Sequence, residues 1–386
     1  MKRTMTGLAL LMASAAPVLA GGIERAPQSL AVLFEEGNYV ELSFGGVDPT
    51  VKGRDVAPAA VGGPYDTGDV AQGYGFLGLA YKHQFNENLS GAFIVEQPFG
   101  SDLRYPTFAD GGSLLLGGTR VEVNSTTYTG ILRYKFQNNF SVHGGLRASH
   151  ADGGVTLGGA AYQGRLGPQP YDLDIGGAWG VGWVAGVAYE IPEYAARISL
   201  TYNSEIDHDF EQTETGGPLA PATFKGDYEV TTPRSWTLEG QTGIAEDTLM
   251  FGSIRWVKWS EFKVDNFLFP IVTPEGTIPL VELEDTTTYT IGVGRKFTEN
   301  WAGSIAYIYE PSVGGKISPL APYDGRKGVQ VAAIYTMDNI KVSTGINYSK
   351  LGDADLGVGY SGDKTEVGET NDNDLWGFGV RIGYSF

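Results

Sequence analysis

The sequence predicts an all-β fold: a transmembrane antiparallel β-barrel of about 14 strands with a short N-terminal plug, or hatch. Three observations predict it. Bulky apolar residues alternate with small or polar ones, tight turns join the alternating strands in pairs, and the last strand is apolar at every second position. In a barrel wall one face of each strand meets lipid and the other meets a polar lumen, so a period of two is expected.

The alternation is clear even in the most apolar stretch of the chain. Residues 175–189 carry no charge, but their bulky residues stand at every second position, as in Trp179, Val181 and Trp183. That spacing is the period of a β-strand. A spanning helix needs about 18 or more consecutive apolar residues, and no stretch after residue 21 supplies them. The sequence therefore argues against a helical membrane protein.

Six tight turns join the strands in pairs. They are rich in Asn, Asp and Glu and lie at residues 86–88, 137–139, 191–193, 245–247, 298–300 and 338–339. Six hairpins and one strand at each end make about 14 strands, an even number as expected. The predicted strands are residues 38–48, 73–85, 89–98, 121–136, 140–152, 175–190, 195–207, 226–244, 248–262, 282–298, 301–313, 327–337, 340–351 and 374–386. The longer connections between hairpins are expected to face outward and the turns to face the periplasm.

The last strand is the clearest single signal. Its apolar set is Trp376, Phe378, Val380, Ile382, Tyr384 and Phe386. As the edge of a soluble sheet such a strand would invite aggregation. A chain that ends on Phe in this register looks like the C-terminal signature of outer-membrane barrels. We therefore expect Phe386 to act as an assembly signal for the barrel assembly machinery of the outer membrane.

The N-terminal region divides the chain into three parts. Residues 1–20 combine two basic residues with a short apolar run and small residues, which predicts a cleaved signal peptide. Residues 21–37 hold more apolar residues than a free tail needs, and we interpret them as a hatch inside the lumen. Its apolar residues are Leu30, Val32, Leu33 and Phe34. Residues 38–386 form the barrel, which places the protein in the outer membrane of a Gram-negative bacterium.

Composition agrees with contact to both lipid and water. The chain has 56 Gly and 46 aromatic residues (7 Trp, 21 Tyr and 18 Phe), yet only 42% of its residues are hydrophobic. A bilayer protein reaches so low a fraction when half of each strand faces a polar lumen. The formal net charge of -18 argues against nucleic acid as a partner, because nucleic-acid binding depends on basic surfaces.

No motif supports a cofactor, a metal or catalysis. The chain has no Cys, and its four His lack the i, i+4 spacing of a metal site. Residues 73–78 match G-x-G-x-x-G, but a dinucleotide site needs a helix after the motif, and here a strand continues. We therefore expect no cofactor, no metal and no enzymatic activity. The acidic stretch at residues 353–374 is an alternative site for a calcium ion, although it lacks the ordered spacing of a calcium loop.

Four stretches resemble the FadL family of outer-membrane transporters for long-chain fatty acids and other hydrophobic compounds. They are residues 81–90 followed by Gln97-Pro98-Phe99-Gly100, residues 258–262, residues 307–311 with 322–326, and the last strand. The resemblance implies 14 strands, a hatch and passive uptake of a hydrophobic solute from the outer membrane. The family's hatch usually carries an Asn-Pro-Ala motif, which Ala26-Pro27-Gln28 replaces here. The hatch therefore resembles the family in position and apolarity only.

A hydrophobic solute needs apolar residues at the outer face of the barrel. Two loops carry apolar runs that are unusual for exposed loops. The candidate ligand-binding residues are Phe108, Leu114, Leu115, Leu116, Phe267, Leu268 and Phe269. The same residues fit equally well with loops that pack on each other over the barrel mouth. For a carboxylate solute, Arg104 and Arg120 are candidate partners of the head group.

The end of the third strand is a candidate lateral opening. Pro98 has no amide hydrogen for the ladder, and Gly100 permits backbone angles closed to other residues. Pro98, Phe99 and Gly100 therefore favour a bend in the wall. Pro98 taken alone fits the plain end of a strand as well.

Other functions remain open for a barrel of this kind. A general porin, or a structural or adhesive barrel, is the main alternative. An outer-membrane hydrolase would require Ser and His to meet in space, because no local catalytic motif is present.

Overall fold

The computed structural model describes residues 23–26, 28–166, 169–217, 220, 222–264, 280–281, 283–360 and 363–386. The predicted signal peptide lies outside these residues, and so do Phe267, Leu268 and Phe269. The described chain forms one sheet of nineteen β-segments, one α-helix, α1 (Ala160–Leu166), and short 3-10 helices. No helix in this part of the chain is long and apolar enough to cross a membrane.

The β-segments form a closed sheet. In chain order they are β1 (Tyr39–Asp55), β2 (Tyr74–Gln84), β3 (Leu89–Glu96), β4 (Gly100–Arg104), β5 (Arg120–Lys135), β6 (Phe140–Leu157), β7 (Tyr171–Ile191), β8 (Ala196–Asn203), β9 (Ile206–Gly216), β10 (Thr223–Thr232), β11 (Ser235–Ala245), β12 (Thr248–Val257), β13 (Thr286–Lys296), β14 (Trp301–Glu310), β15 (Lys316–Ile317), β16 (Arg326–Met337), β17 (Ile340–Leu351), β18 (Ala354–Tyr360) and β19 (Asp363–Ser385). Pairing of β1 with β19 closes the barrel.

Fourteen antiparallel strands cross the wall, because several segments are halves of one strand. β3 and β4 both pair with β5, β8 and β9 both pair with β7, and β17 and β18 both pair with β19. β10 and β11 pair with the halves β9 and β8. The two-residue β15 pairs in parallel with β18 and adds no strand of its own. The predicted count of about 14 strands is confirmed.

Several strands extend farther toward the long connections than the sequence predicts, whereas β12, β13 and β14 are shorter there than the predicted 248–262, 282–298 and 301–313. The last strand, predicted at residues 374–386, begins at Asp363 as β19. The strand predicted to end at residue 207 continues to Gly216 as β9. These extensions are rich in Asp, Glu, Asn and Thr, so they lack the membrane pattern. Neighbouring strands hold them, since β18 pairs with β19 and β10 pairs with β9.

Near the tight turns the wall is apolar outside and mostly polar inside. On β7, Val181 points outward and is 70% exposed. On β6, Ser141 and His143 point inward and are buried. We term this part of the wall the lipid band: residues 127–135 of β5, 140–150 of β6, 178–191 of β7, and β8.

Near the long connections the polarity of the wall is reversed. Asp207 and Asp209 point outward and are exposed, whereas Ile206 and Phe210 point inward and are buried. This is the alternation of a water-exposed sheet that covers an apolar core. We term this part the outer band: residues 120–125 of β5, 151–157 of β6, 171–175 of β7, and all of β9 and β10.

A bulge in β7 joins the two bands. Ala151 of β6 pairs with Ala178, but Gly153 pairs with Ile175, so β7 has one extra residue between these pairs. The extra residue reverses the alternation along β7. Ile175 is therefore buried in the lumen, whereas Trp179, which also has an odd number, is exposed on the outer face.

The N-terminal residues fill the lumen. We term residues 23–26 and 28–36 the plug segment. A 3-10 helix in it, Ala31–Phe34, is buried on all sides. The residues predicted for the hatch are buried and pack on inward apolar residues near the tight turns, among them Ala80, Ala92 and Ile131. These four residues are Leu30, Val32, Leu33 and Phe34.

Candidate functional site

The third barrel strand breaks between β3 and β4. β3 ends at Glu96 and β4 begins at Gly100, four positions later, but their partners on β5 are only three positions apart. The broken strand therefore contains a bulge. Pro98 lacks an amide hydrogen, and the Phe99 amide donates to the Ser125 hydroxyl at 3.0 Å instead of to a ladder carbonyl. The break thus falls at the three residues that the sequence marks as a candidate opening.

The plug segment pairs with the broken strand from the lumen side. The Arg25 and Ala26 amides both donate to the Pro98 carbonyl, at 2.7 and 3.2 Å. The Gly100 amide donates to the Ile23 carbonyl at 2.8 Å. A short antiparallel pairing inside the barrel therefore replaces part of the interrupted ladder.

On its other side the broken strand leaves a gap in the ladder with β2. The two strands pair only as far as Leu79 and Val95. Two register positions further, the Leu77 amide donates to the side-chain oxygen of Gln97 at 3.1 Å. Backbone pairing with β2 therefore ends just before the bulge, and the plug segment covers the bulge from inside.

An apolar cavity lies in the outer band beside the break. Ile23 of the plug segment and Phe99 of the break both line it. β5, β6, β9 and β10 supply further lining residues, among them Val121, Val155, Phe210 and Val230. Its volume is about 70 Å³, whereas an apolar cavity that binds benzene measures roughly 150 Å³. Lining side chains must therefore move when a larger solute enters.

A layer of charged residues crosses the lumen. It lies on the side of the cavity that faces away from the outer loops. Arg255 of β12 forms a buried ion pair with Glu24 and also donates to two hydroxyl groups of β11. Arg147 of β6 donates to the side-chain oxygen of Gln28 at 2.8 Å. These bonds attach the plug segment to two different parts of the wall. A solute moving along the barrel axis would have to separate buried charges, which is costly.

Three basic residues attach the end of the plug segment near the tight turns. Lys82 donates to the Glu35 carbonyl at 2.7 Å, and Arg133 donates to the Leu33 carbonyl at 3.2 Å. Lys341 forms an ion pair with the Glu35 carboxylate at 2.6 Å. Burial raises the pKa of the Glu35 carboxyl, and the nearby Lys341 ammonium opposes that rise. These contacts attach this end of the plug segment to β2, β5 and β17.

The leucine run in the connection between β4 and β5 lies apart from the cavity. Leu116 is fully buried, and Leu114 and Leu115 are half-buried. Leu115 and Leu116 join the apolar core of the outer band. Phe108 is exposed, with its ring edge-on to Tyr65 at 4.9 Å. None of these four candidates lines the cavity as described, and their packing fits loops that close the barrel mouth.

Arg104 and Arg120 lie on the outer face of the wall. They are cross-strand partners on β4 and β5, and each is about half exposed. Arg104 pairs with Asp102 at 3.2 Å, and Arg120 pairs with Glu122. The structure brings the two arginines together but does not bring them to the cavity.

The acidic stretch at residues 353–374, as far as the structure describes it, contains no metal centre. Among the residues that the structure describes, no group of three or more His, Asp or Glu is placed to hold a metal ion. Much of the stretch belongs to β18 and β19. Lys350 neutralises part of it through an ion pair with Asp372 at 3.3 Å.

Sequence reasoning missed the cavity residues of the outer band. In residues 206–211, Asp207, Asp209 and Glu211 alternate with Ile206, His208 and Phe210. An apolar face opposite a charged face indicates a strand with water outside and a core inside. The strands predicted above carry bulky residues on the outward face, whereas this strand carries them on the inward face.

The fold and the site together define a closed outer-membrane β-barrel whose lumen holds its own N-terminal segment and whose wall breaks beside an apolar cavity. Residues 2–386 match the model of the family described as outer membrane protein transport protein (OMPP1/FadL/TodX). The chain belongs to this family. Its members are transport proteins of the outer membrane and not enzymes, so the predicted family, localisation and non-enzymatic class are confirmed.

Individual relatives agree with this family. The chain is 25% identical over 244 residues to the long-chain fatty acid transport protein of Escherichia coli O6:H1, which covers 55% of this chain and 51% of the relative. The chain thus spans about half the length of the curated relatives it matches. A Pseudomonas aeruginosa FadL homologue superposes with a TM-score of 0.71 at 15% identity over 92% of both chains. The P. putida toluene transporter TodX does so with a TM-score of 0.65 at 14% identity over 91% of both chains. At these identities the solved structures show a shared fold.

Proposed function

We propose that this protein takes up hydrophobic solutes passively across the outer membrane, and that the solute leaves the barrel sideways through the break between β3 and β4. The observation that carries the proposal is the position of Phe99, which belongs to the break and also lines the apolar cavity. Long-chain fatty acids and similar lipophilic compounds are the proposed solutes. Two relatives are named as a long-chain fatty acid transport protein and a toluene transporter, in agreement with this class.

The polarity of the lumen favours a lateral exit over an axial one. Burial of apolar surface in the cavity contributes roughly 25 cal/mol per Å² removed from water. Passage along the axis would give up that gain and would also disturb the Glu24 and Arg255 pair. The β3 side of the break pairs with Thr127, at the edge of the lipid band, so exit there returns the solute to lipid without a step through water.

We propose that residues 21–37 act as the hatch and that they open locally instead of leaving the barrel. The pairing at the break consists of three backbone hydrogen bonds, which contribute about 0.5–1.5 kcal/mol each. Loss of the buried ion-pair partner of Arg255 alone costs about 3–5 kcal/mol. Local opening at Pro98 and Gly100 is therefore the less costly movement, while Lys82, Arg133 and Lys341 keep the other end in place.

A disulfide across the gap tests the proposal. The chain has no Cys, so the pair Leu77→Cys and Gln97→Cys forms a unique cross-link two register positions beyond the last backbone pair of β2 and β3. Uptake of a labelled long-chain fatty acid is measured in cells that lack their own transporter. We expect uptake to fall to background when the pair is oxidised and to recover after reduction, because the staple holds the two edges of the gap together.

The matched control places the same disulfide in the intact ladder. Leu79→Cys and Val95→Cys replace the last register pair of β2 and β3 on the same outer face. Its oxidation should leave uptake unchanged. Normal uptake through the oxidised 77–97 staple would exclude this exit.

We also propose that the barrel assembly machinery recognises the terminal strand through Phe386. The Phe386 amide donates to the Asn38 carbonyl at 3.0 Å, while its ring is exposed next to Tyr384 at 5.9 Å. An exposed ring adds little to the fold but is accessible to a partner. Phe386→Asp should therefore lower the amount of assembled barrel in cells without impairing refolding of the purified protein in detergent. Equal loss in both measurements would assign Phe386 to stability.

A further inference from the structure

His208 is an unpartnered polar side chain in the apolar cavity. It lies on the inner face of β9, lines the cavity and is 0% exposed. Neither ring nitrogen has a hydrogen-bond partner in the part of the chain that the structure describes. Backbone groups of Ile206, Ser149 and Val230 make weak polar contacts with the ring, but neither ring nitrogen has a partner at full hydrogen-bond geometry. The His208 ring stacks on the Phe210 ring at 5.6 Å.

The other polar groups that line the cavity are engaged. The Ser125 hydroxyl accepts from the Phe99 amide and donates to the Phe99 carbonyl. The Thr232 hydroxyl donates to a backbone carbonyl of β9 at 3.1 Å. Asp152 lies at the edge, with its side chain partly exposed, 4.0 Å from His150. Among the described lining residues, His208 is therefore the polar side chain available to a solute.

We propose that His208 binds the polar group of the transported solute, and that the preferred solute is a neutral lipophilic molecule with one hydroxyl or carbonyl group. A long-chain alcohol, a phenol or a ketone fits this description. A buried polar group without a partner is costly, and a solute that supplies the partner recovers that cost. The inference rests on the proposed uptake function and narrows its solute class.

The charge of the cavity favours a neutral solute over a carboxylate. A neutral imidazole has one donor and one acceptor, which matches a hydroxyl group. Neither Lys nor Arg occurs among the described residues that line the cavity. A carboxylate would enter an apolar site without a counter-charge, at a large cost, so a fatty acid would enter this site as the neutral, protonated acid. The carboxylate of Asp152 at the edge adds to that cost.

Trp259 supplies a reporter for occupancy of the cavity. It is fully buried, and its ring lies 5.8 Å from the Phe99 ring and 6.1 Å from the Phe262 ring. Both phenylalanines line the cavity. The full chain in mild detergent is titrated with a matched pair of quenchers, a bromo-octanol and a bromo-octane. The other tryptophans remain in Trp259→Phe. The part of the quenching that is lost in this variant therefore measures binding in the cavity.

We expect the bromo-octanol to bind more tightly than the bromo-octane in the unsubstituted chain. His208→Leu should weaken binding of the alcohol by about tenfold and leave binding of the alkane unchanged. His208→Asn keeps a donor and an acceptor and should retain part of the preference. His143→Leu is the matched control, because His143 is also buried in the lumen but bonds to the Thr201 hydroxyl at 3.1 Å and lies outside the cavity lining.

The outcomes separate the two proposals. Equal affinity for the two probes, or an equal loss of both in His208→Leu, overturns the role of His208 and leaves uptake of apolar solutes standing. If neither probe quenches Trp259, the cavity is not a solute site and both proposals fail. Heat-modifiable migration on gels verifies that each variant has folded.

Discussion

The lipid band and the outer band share β5, β6 and β7, but their apolar surfaces face opposite ways. On β7, Val181 and Trp183 are exposed on the outer face, whereas Leu173 and Ile175 are buried in the lumen. The bulge between Ile175 and Ala178 separates these two arrangements. One strand therefore follows two different patterns along its length.

The surrounding medium explains the difference. In the lipid band the outer face must be apolar, so polar side chains such as Arg133 and Ser141 are directed into the lumen. In the outer band the outside is water, and apolar side chains gather inside as they do in a soluble sheet. The apolar cavity lies in the outer band, and the charged contacts of Lys82, Arg133 and Lys341 hold the plug segment at the other end of the lumen.

Removal of the plug segment, which runs through both bands, should have the largest effect. We expect a chain without residues 23–36 to fold, because the fourteen strands close through their own ladder. Single-channel conductance in planar bilayers should change from a closed baseline to a steady open level. A large steady conductance of the intact protein would instead support a general porin. Unchanged conductance after the deletion would contradict the role of this segment as a hatch.

The outer band should respond to a cavity-forming substitution as a protein core does. Phe210→Ala is expected to lower the free energy of unfolding by about 3–5 kcal/mol, because it removes a ring that is buried on the inner face of β9. Urea unfolding in lipid vesicles measures this change. The control Thr213→Ala, on the outer face of the same strand, should stay within about 0.5 kcal/mol. Similar losses in both variants would show that the inner face of the outer band is not a core.

The outer faces of the two bands should differ in their tolerance of charge. Val181→Arg in the lipid band should cost about 2–4 kcal/mol, because it places a cation in hydrocarbon. Asp209→Arg in the outer band exchanges one solvated charge for another and should change stability by about 0.5 kcal/mol or less. The same unfolding measurement compares the two. A similar cost at both positions would contradict the boundary between the bands.

Loss of the two outer arginines should have the smallest effect. Arg104→Gln and Arg120→Gln remove exposed ion pairs to acids on their own strands, and such pairs contribute about 0–1 kcal/mol. Uptake of a labelled fatty acid should remain unchanged, because the structure keeps both side chains away from the cavity. Slower uptake in the double variant, at normal barrel yield, would place a solute contact on the outer face.

The sequence predicted the strands correctly where lipid covers the outer face, because lipid requires an apolar residue at every second position. The alternation at Trp179, Val181 and Trp183 and the apolar positions of the last strand indicate lipid on one side, and the structure has fourteen strands as expected. The extension of β9 was missed, because its outward positions carry Asp and Glu and read as a loop. At the site, Pro98 and Gly100 marked a weak point of the ladder. The contacts between Pro98 and Arg25, more than seventy positions apart in the chain, have no sequence signal.

The sequence by itself determined the barrel, its strand number and the place where one strand breaks. Periodicity, turn residues and the absence of an amide hydrogen in proline are local properties, which act over a few neighbouring positions. Only the tertiary structure decided which apolar residues face the lumen and what lies beside the break. A single bulge in β7 reverses the facing of Ile175, and closure of the sheet brings Ile23, Phe99, His208 and Phe210 around one cavity. Such contacts depend on the register of distant strands, and a pattern of period two is unchanged when a strand shifts by two residues.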